Sequence, residues 1–486
     1  MPLCDKSLFE IRSMLDQKKI TSVELTQYYL DRISEVDESI GSYITVCKEK
    51  AMQMAKKADD RISLGRAELF TGIPVGIKDN ICTKGTITTC GSKMLYNFEP
   101  PYNATAIEKL LAQDAVIMGK LNMDEFAMGG STQTSYYKST KNPYDLTKVP
   151  GGSSGGSAAA IGAKLAVVTL GSDTGGSVRQ PASFCGVTGM KPTYGAVSRY
   201  GLVAFGSSLD QIGPVAKSAR ECAAVLDVIS GFDIHDGTSS KQKIQFQSEI
   251  GIDIKGLKIA LPKEFLGEGI DEEVKESVLE AVKYYENRGA EIIEVSMPSL
   301  KYAIATYYLL SSAEASSNLS RYDGIKFGYC TSNAKSYEER ITRTRSEGFG
   351  DEVKRRILLG TYALSSGYYD AYYKKALYIR EKIKKEYADI FENCDVMITP
   401  TAPTTAYKIG TTTTDSVKMY LADICTVTVN IAGLPAINTT CGYDSEGMPI
   451  GMSIVGKQFD DAKVIGVADA FEQEFEKIQP SVLEKA

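Results

Sequence analysis

Three residues of this chain, one lysine and two serines, have the types and surroundings needed for hydrolysis without a histidine. Ser153 lies in the Gly/Ser-rich run Val149–Ser157, and Ser177 lies in a second such run, Gly171–Pro181. Lys78 lies upstream in an apolar segment. Burial disfavours an ammonium and lowers its pKa, so such a lysine can act as a base. We predict a relay in which Ser153 passes a proton from Ser177 to Lys78.

Ser177 is the predicted nucleophile because of what precedes it. The apolar run Ile161–Leu170 indicates a buried strand between the two Gly/Ser loops, and the loop after it can expose the serine. Thr174, Gly175 and Gly176 offer consecutive backbone N–H groups with little side-chain bulk. Such a nest can hold the oxyanion of a tetrahedral intermediate.

Three other interpretations of these residues stay open at this point. A Gly/Ser run is often a flexible linker, although linkers rarely come in pairs around one buried strand. Gly151-Gly-Ser-Ser-Gly155 matches the G-x-S-x-G pattern of a nucleophile elbow, which needs a preceding strand and a histidine partner. Lys78 can instead form a buried ion pair with Asp79 or another carboxylate.

The chain holds one histidine, His235, in a polar turn that is typical of a surface position. A surface histidine leaves no base for a Ser-His-Asp triad, and one histidine cannot build a histidine-ligated catalytic zinc site. The ten cysteines include no C-x-x-C pair. We therefore expect no metal in the site, and the absence of a disulfide framework favours the reducing cytoplasm.

Composition narrows the class of protein further. The 486 residues carry a net charge of −6, and an acidic surface is a poor start for holding nucleic acid. We therefore expect any RNA contact to belong mainly to a partner. Lys164 interrupts the best apolar run, so no membrane span is expected.

The elements that must position these residues alternate between strands and helices, which predicts an α/β fold. Residues 7–65 read as helices, with a capping-box match at Thr21–Glu24. A later β-α-β unit and strands near both ends of the chain indicate one sheet completed from both sides. The remaining predicted elements are a strand with a turn over Phe70–Ile81, the β-α-β unit over 257–295, tyrosine-rich helices over 301–390, strands at Val396–Thr399 and Ile450–Val455, and a helix at Ala462–Lys477.

The two Gly/Ser runs resemble the signature of a known family. Val149–Ala160 and Gly171–Gly186 look like the amidase signature, and the match continues through Gly189–Gly195 and Leu202–Pro214. The resemblance implies a single large amidase domain over residues 66–486, with the signature core at about 140–215 and an N-terminal helical segment, 1–65, packed on it. It also implies a central, mostly mixed sheet flanked by helices on both faces, and a Ser–cis-Ser–Lys triad at Ser177, Ser153 and Lys78.

Within that family the chain resembles the glutamine-hydrolysing subunits of tRNA-dependent amidotransferases. The stretches that carry this likeness are Met123–Thr132, Arg321–Gly328, Gly350–Ile357 and Ser365–Tyr373. The resemblance implies that Ser177 forms a γ-glutamyl ester and that the ammonia converts Glu-tRNA(Gln) to Gln-tRNA(Gln). It further implies a heterotrimer with the B and C subunits of such an enzyme, where ATP and Mg²⁺ and most of the tRNA contact belong to the partner and this chain needs no cofactor.

A free amino-acid substrate needs partners for its charged end. The resemblance assigns the α-carboxylate of glutamine to Arg356 and its α-ammonium to Asp423, with Tyr307 lining the pocket. Arg355 and Tyr308 are neighbours that can take the roles of Arg356 and Tyr307. Two other functions stay open: a stand-alone amidase for another small amide, and a structural scaffold in an RNA-processing complex.

Overall fold

One eleven-stranded sheet runs through the protein in the computed structural model, which describes residues 2–411 and 422–484. The strands, in chain order, are β1 (Tyr43–Val46), β2 (Pro74–Lys78), β3 (Val116–Leu121), β4 (Val168–Asp173), β5 (Thr188–Lys191), β6 (Gln211–Ala216), β7 (Lys258–Pro262), β8 (Glu291–Val295), β9 (Val396–Pro400), β10 (Ala436–Tyr443) and β11 (Pro449–Gly456). Their order across the sheet is β1-β3-β2-β4-β6-β5-β10-β11-β9-β7-β8. Parallel and antiparallel pairs both occur, so the sheet is mixed.

The described α-helices lie between these strands and after them. They are α1 (Leu8–Asp16), α2 (Ser22–Ile40), α3 (Lys48–Ser63), α4 (Thr105–Ala112), α5 (Gly155–Gly162), α6 (Arg179–Phe184), α7 (Ala219–Ile229), α8 (Glu272–Asn287), α9 (Ala303–Asn318), α10 (Tyr337–Gly348), α11 (Asp351–Leu364), α12 (Lys374–Ile390), α13 (Val427–Ala432) and α14 (Asp461–Glu472). Short 3₁₀ turns occur at Leu3–Asp5, Lys93–Leu95, Glu125–Ala127, Lys263–Leu266, Pro298–Tyr302, Leu319–Arg321 and Ser481–Glu484, and a π turn at Tyr369–Tyr373. Among the described helices, none has the length and hydropathy to cross a bilayer.

Helices cover both faces of the sheet, which the burial of its strands makes plain. Successive strand residues point to opposite faces, yet every residue of β2, β3, β4 and β6 is buried. A strand with both faces covered reads as a continuous apolar run rather than an alternating one. The predicted α/β fold with a central mixed sheet is confirmed.

The parallel pairing of β2 with β4 brings the segments that carry Lys78 and Ser177 to the same end of the sheet. Val75 lies opposite Val168 and Ile77 opposite Leu170, so both strands run in the same direction. The carboxyl ends of neighbouring parallel strands emerge together. The last residue of β2 is Lys78, and the loop that follows β4 carries Ser177.

Several predicted elements are confirmed. The Thr21 hydroxyl and the Glu24 carboxylate form a capping box at the start of α2. The β-α-β unit is β7, α8 and β8, whose strands pair in parallel. The returning strands are β9 and β11, which pair with each other.

The prediction of a strand over Ile161–Leu170 was wrong in its first half. Ile161 belongs to α5, and the strand β4 begins only at Val168. All eight residues of α5 are buried. A helix that is buried on every side has no amphipathic periodicity, so its apolar run cannot be told from a strand by pattern alone.

The reading of residues 7–65 as helices throughout was also wrong. The strand β1 lies between α2 and α3 and pairs with β3 in antiparallel fashion. With four residues, β1 is too short for an alternating pattern to stand out. The N-terminal segment therefore contributes an edge strand to the sheet in addition to its helices.

Candidate active site

Lys78 occupies the carboxyl end of a fully buried strand, and its side chain has no exposed surface. Its Nζ donates to Ser153 Oγ at 2.8 Å, Ser154 Oγ at 2.8 Å and Ser172 Oγ at 2.9 Å. The Ser172 carbonyl oxygen lies at 3.2 Å from the same nitrogen. The amine thus contacts neutral oxygens, which satisfy it without the charge of a carboxylate.

The alternative of a Lys78–Asp79 ion pair is wrong. Within residues 2–411 and 422–484, no carboxylate oxygen lies within ion-pair distance of Lys78 Nζ. Asp79 turns instead to Thr89, whose N–H donates to its carboxylate at 2.9 Å, and to Lys120, whose Nζ is 3.9 Å away. Lys120 is therefore the cationic partner of Asp79, whereas Lys78 contacts serine hydroxyl groups.

Burial lowers the pKa of Lys78 from its ordinary value of 10.5 to about 7. The carboxylates of Asp124, Asp173 and Asp210 oppose this change from a greater distance. A pKa near 7 means that the neutral amine and the ammonium coexist at neutral pH, which suits a group that must both take and return a proton. A lowered pKa is what the role of base requires, and that role of Lys78 stays a prediction.

Ser153 is held in a loop that approaches its neighbours very closely. The peptide bond between Gly152 and Ser153 is cis. The Gly152 N–H donates to Gln180 Oε1 at 2.9 Å, and the Asp124 N–H donates to the Ser153 carbonyl at 3.2 Å. A Cβ on Gly152 would lie 2.1 Å from Asp124 Oδ2, so only glycine fits here.

Ser177 contacts the loop that contains Ser153 through its backbone. The Ser154 N–H donates to the Ser177 carbonyl at 3.1 Å, which joins the two Gly/Ser loops. The Ser177 residue is 8% exposed, and its Oγ forms no hydrogen bond within the part of the chain that the structure describes. The lysine end of the predicted relay is thus formed as a hydrogen bond, whereas the Ser153–Ser177 hydrogen bond is not.

A buried network that sequence reasoning missed fixes the loop around Ser177. Arg179 Nε lies 3.1 Å from Asp173 Oδ2, and Arg179 Nη2 donates to Asn430 Oδ1 at 2.6 Å. Burial alone would raise the pKa of Asp173, but the Arg179 guanidinium, with help from Lys191 and Asn430, holds it well below its ordinary value. Asp173 and Arg179 flank the predicted nucleophile Ser177 within the run Gly171–Pro181, so this pair of opposite charges could have been noticed in the sequence.

The predicted oxyanion nest is partly occupied by the protein itself. The Gly176 N–H donates to Asp173 Oδ1 at 2.8 Å, so it is not available to a ligand. The amides of Thr174, Gly175 and Ser177 donate to no acceptor within the described ranges. Asp173 shapes the turn by taking one of the three predicted donors, which leaves Thr174 and Gly175 of the original set.

Tyr307 closes one side of this turn and links it to the predicted substrate pocket. A Cβ on Gly175 would lie 2.5 Å from the Tyr307 hydroxyl, so the tyrosine packs directly on the glycine. The rings of Tyr307 and Tyr308 meet edge to face with centroids 5.0 Å apart. The Tyr308 hydroxyl donates to Asp423 Oδ2 at 2.7 Å. Tyr307 therefore packs on the turn at Gly175, and Tyr308 binds the carboxylate of Asp423.

Asp423 and Arg356 both contact Tyr308, the acid at the hydroxyl and the guanidinium over the ring. The Arg356 guanidinium carbon is 4.8 Å from the centroid of the Tyr308 ring and 5.6 Å from that of Phe205. Arg356 Nε donates to Glu352 Oε1 at 2.8 Å. Burial raises the pKa of Asp423 to about 7, although the Tyr308 hydroxyl and the Arg356 charge lower it. The structure thus brings a cation and a titratable acid together beside the serine loop.

The two neighbouring arginines differ in burial. Arg356 is 2% exposed and packs on Phe205 and Tyr308, whereas Arg355 lies at the surface, so the choice of Arg356 for the α-carboxylate stays a prediction. His235 lies at the surface as well, where its ring is tilted against that of Tyr200 with the two ring centroids 4.8 Å apart. The exposed histidine cannot serve as the base of a nucleophile elbow, so that interpretation was wrong.

Comparisons with known proteins find similar chains over nearly the whole length of this one. A family model described as Amidase matches residues 24–465. The chain is 57% identical over 477 residues to the A subunit of glutamyl-tRNA(Gln) amidotransferase from Ruminiclostridium cellulolyticum, covering 98% of each chain. It is 56% identical over 476 residues to the protein of the same name from Bacillus velezensis, covering 97% of this chain and 98% of that one. The crystal structure of the corresponding A subunit from Thermotoga maritima superposes with a TM-score of 0.83 at 42% identity, covering 99% of both chains.

Proposed function

The chain belongs to the amidase signature family, and from this premise we propose that it hydrolyses glutamine as the A subunit of a glutamyl-tRNA(Gln) amidotransferase. A buried lysine and two serines suit hydrolysis of many amides. The observation that carries the choice of glutamine is that Arg356 and Asp423 both contact the same residue, Tyr308. A cation and an acid side by side match the α-carboxylate and the α-ammonium of a free amino acid.

The first half of the reaction forms an ester and releases ammonia. Neutral Lys78 takes a proton from Ser153, which takes the proton of Ser177. Ser177 Oγ bonds to the carbon of the glutamine side-chain amide, and the resulting oxyanion accepts hydrogen bonds from the Thr174 and Gly175 amides. The carbon–nitrogen bond then breaks, and the relay returns its proton to the departing nitrogen. The products of this half are a γ-glutamyl ester on Ser177 and ammonia.

The second half runs the same relay with water in place of the serine. Water gives a proton through Ser153 to Lys78 and attacks the ester carbonyl. Collapse of the tetrahedral intermediate releases glutamate and restores the Ser177 hydroxyl with that proton. Because the lysine both accepts and returns a proton in each half, its pKa of about 7 suits both halves.

The ammonia is proposed to serve a second protein chain. In this proposal the chain assembles with the B and C subunits as a cytoplasmic heterotrimer, and the B subunit uses ATP and Mg²⁺ to activate Glu-tRNA(Gln). The net charge of −6 supports a division of labour in which the partner holds most of the tRNA. The likeness along nearly the whole chain to relatives named as one subunit of an enzyme supports an assembly of several chains.

The decisive experiment replaces the nucleophile within the purified complex. We expect Ser177→Ala to abolish glutamine-dependent formation of Gln-tRNA(Gln), while added ammonium still supports it, because ammonium bypasses the ester. Ser63→Ala, an exposed serine on α3, is the matched control and is expected to keep both activities. Loss of both activities in the Ser177 variant would contradict the assignment. Turnover of varied amides by the isolated chain, with glutamine ignored, would favour the stand-alone amidase instead.

A further inference from the structure

The turn that contains Asp124 and Glu125 contacts both the loop of Ser153 and the start of α11, the helix that carries Arg356. The proposed reaction leaves this turn without a role. Phe126 and Ala127, which follow, adopt φ angles of 49° and 61°. Left-handed backbone at non-glycine residues is unfavourable and persists where the surroundings impose it, often at functional sites. The two acidic side chains before this strained backbone are directed to different parts of the site.

Asp124 supports the loop of the relay serine. Its N–H donates to the Ser153 carbonyl, and its carboxylate accepts the N–H of Thr132 at 2.9 Å and that of Ser131 at 3.2 Å. The same carboxylate is the group that would collide with a Cβ on Gly152. This residue therefore ties the turn to the relay.

Glu125 supports the helix that carries Arg356. Its residue is 4% exposed, and its Oε2 accepts the Gly350 N–H at 2.8 Å while Oε1 accepts the Ser92 hydroxyl. Gly350 is the N-cap residue of α11 and brings no side chain of its own to cap that helix. Glu125 thus caps α11 from 225 residues away, where a negative group is also favoured by the helix dipole.

We infer that Glu125 is a positioning residue for glutamine, fixing the distance between Arg356 and the relay through its contact with Gly350. The inference rests on the proposed function. Adjacent residues of one turn hold Ser153 on one side and the start of α11 on the other, so the two ends of the pocket share one support. Glutamine presents a carboxylate and an amide at a limited separation, so a shift of Arg356 relative to the relay weakens its contact with the carboxylate while the amide lies at Ser177.

Two substitutions test the same contact from its two sides. Glu125→Ala removes the acceptor. Gly350→Ala places a Cβ 2.3 Å from Glu125 Oε2 and so pushes the carboxylate away, while the φ of −73° at Gly350 accommodates alanine. Glu125→Gln keeps an oxygen acceptor for the Gly350 N–H and serves as the conservative variant. Asp351→Asn removes an exposed charge from the same helix end and serves as the matched control.

The assay measures kcat and KM for glutamine, and ammonium-dependent activity, in the complex with its partner subunits. We expect Glu125→Ala and Gly350→Ala each to raise KM by about tenfold or more with kcat within about threefold of wild type. Glu125→Gln and Asp351→Asn are expected to keep a KM close to wild type, and all variants to keep ammonium-dependent activity. The double variant Glu125→Ala/Gly350→Ala is expected to be no worse than either single one, because both remove one contact.

The outcomes that overturn the inference are distinct from those that overturn the proposed function. A wild-type KM in Glu125→Ala, a fall in kcat alone, or additive effects in the double variant would each contradict the positioning role. If Glu125→Ala fails to assemble, a wild-type KM in Gly350→Ala contradicts it as well. A wild-type complex that hydrolyses no glutamine would instead refute the function itself.

Discussion

Arg356 packs on two aromatic rings, those of Phe205 and Tyr308, whereas its neighbour Arg355 lies at the surface. Both arginines contact the carboxylate of Glu352, one at each oxygen. The two side chains therefore share an anionic partner and differ in what else they face. Comparing variants of the two arginines therefore distinguishes an effect on substrate binding from an effect on the stability of the helix.

We expect Arg356→Ala to raise KM for glutamine by roughly 10- to 100-fold, because a hydrogen-bonded contact with a charged group contributes about 1.5–3 kcal/mol. Ammonium-dependent activity of the complex should be unchanged. Arg355→Ala removes the other partner of Glu352 and is expected to keep the KM of wild type. Steady-state kinetics with glutamine measure the difference, and equal KM values in the two variants would remove Arg356 from the pocket.

At the scale of single residues, the sequence predicts the candidate catalytic residues better than it predicts the contacts that position them. Lys78, Ser153 and Ser177 could be named because an apolar segment and two Gly/Ser loops are local features. Ser172, Asp124 and their contacts could not, since each depends on loops that meet only in the fold. The Gly176 amide was assigned to the oxyanion because its acceptor, Asp173, is visible only in three dimensions.

At the scale of elements, the turn from Asp173 to Arg179 is fixed from outside its own chain segment. The Thr426 hydroxyl, just before α13, donates to the Gly175 carbonyl at 2.6 Å, and Asn430 in α13 donates to Asp173 Oδ1 at 2.9 Å. Tyr307 in α9 covers Gly175. A loop of small residues becomes a rigid donor site because two helices from later in the chain pack against it.

We expect Gly175→Ala to lower kcat for glutamine hydrolysis by roughly 10²-fold, since the added Cβ would lie 2.5 Å from the Tyr307 hydroxyl and displace the amide donors. Gly367→Ala is the control, because a Cβ there meets no atom within 4 Å. Single-turnover formation of glutamate by the complex is the measurement. A kcat equal to wild type would show that these amides do not hold the oxyanion.

The helices and strands themselves were predictable where their patterns are regular. The capping box of α2 and the β-α-β unit follow from periodicity and flanking residues. The buried helix α5 and the four-residue strand β1 were misread because one has no polar face and the other has too few residues to show alternation. Because α5 is buried on every side, its sequence lacks the polar face by which a helix is recognised.

At the scale of the whole molecule, the order of strands depends on contacts between distant segments. β5 pairs with β6 on one side and with β10 on the other, although β10 begins more than 200 residues later. The sequence indicated that both ends complete one sheet, but no local pattern specifies which strands become neighbours. Long-range pairing is decided by packing of the complete chain.

Lys191 shows how such packing affects stability. It is fully buried in β5, its Nζ donates to the Pro192 carbonyl at 3.0 Å, and burial together with the nearby Arg179 charge lowers its pKa to about 7. The unfolded chain binds this proton up to about pH 10.5, whereas the folded chain releases it above about 7. Lys191 therefore lowers the free energy of unfolding by its full amount below about pH 7. This destabilisation shrinks as the pH rises towards 10.

We expect Lys191→Met to raise the free energy of unfolding at pH 7 by an amount on the order of a few kcal/mol, with the gain shrinking as the pH approaches 10. Thermal unfolding of the variant and wild type across this range is the measurement. Lys375→Met, at an exposed lysine of α12, should show no such dependence on pH. A gain that stays constant from pH 7 to 10 would mean that Lys191 keeps its charge in the fold.

The pairing of β5 with β10 also bears on synthesis. A ribosome that has translated the first 300 residues has already made the lysine and both serines, but not Tyr308, Arg356, Asp423 or β10. Until the chain has been made through Tyr443, the middle of the sheet lacks a strand and the turn before Ser177 lacks α13. The lysine and both serines are therefore synthesised well before the segments that complete the sheet and brace the turn between Asp173 and Arg179.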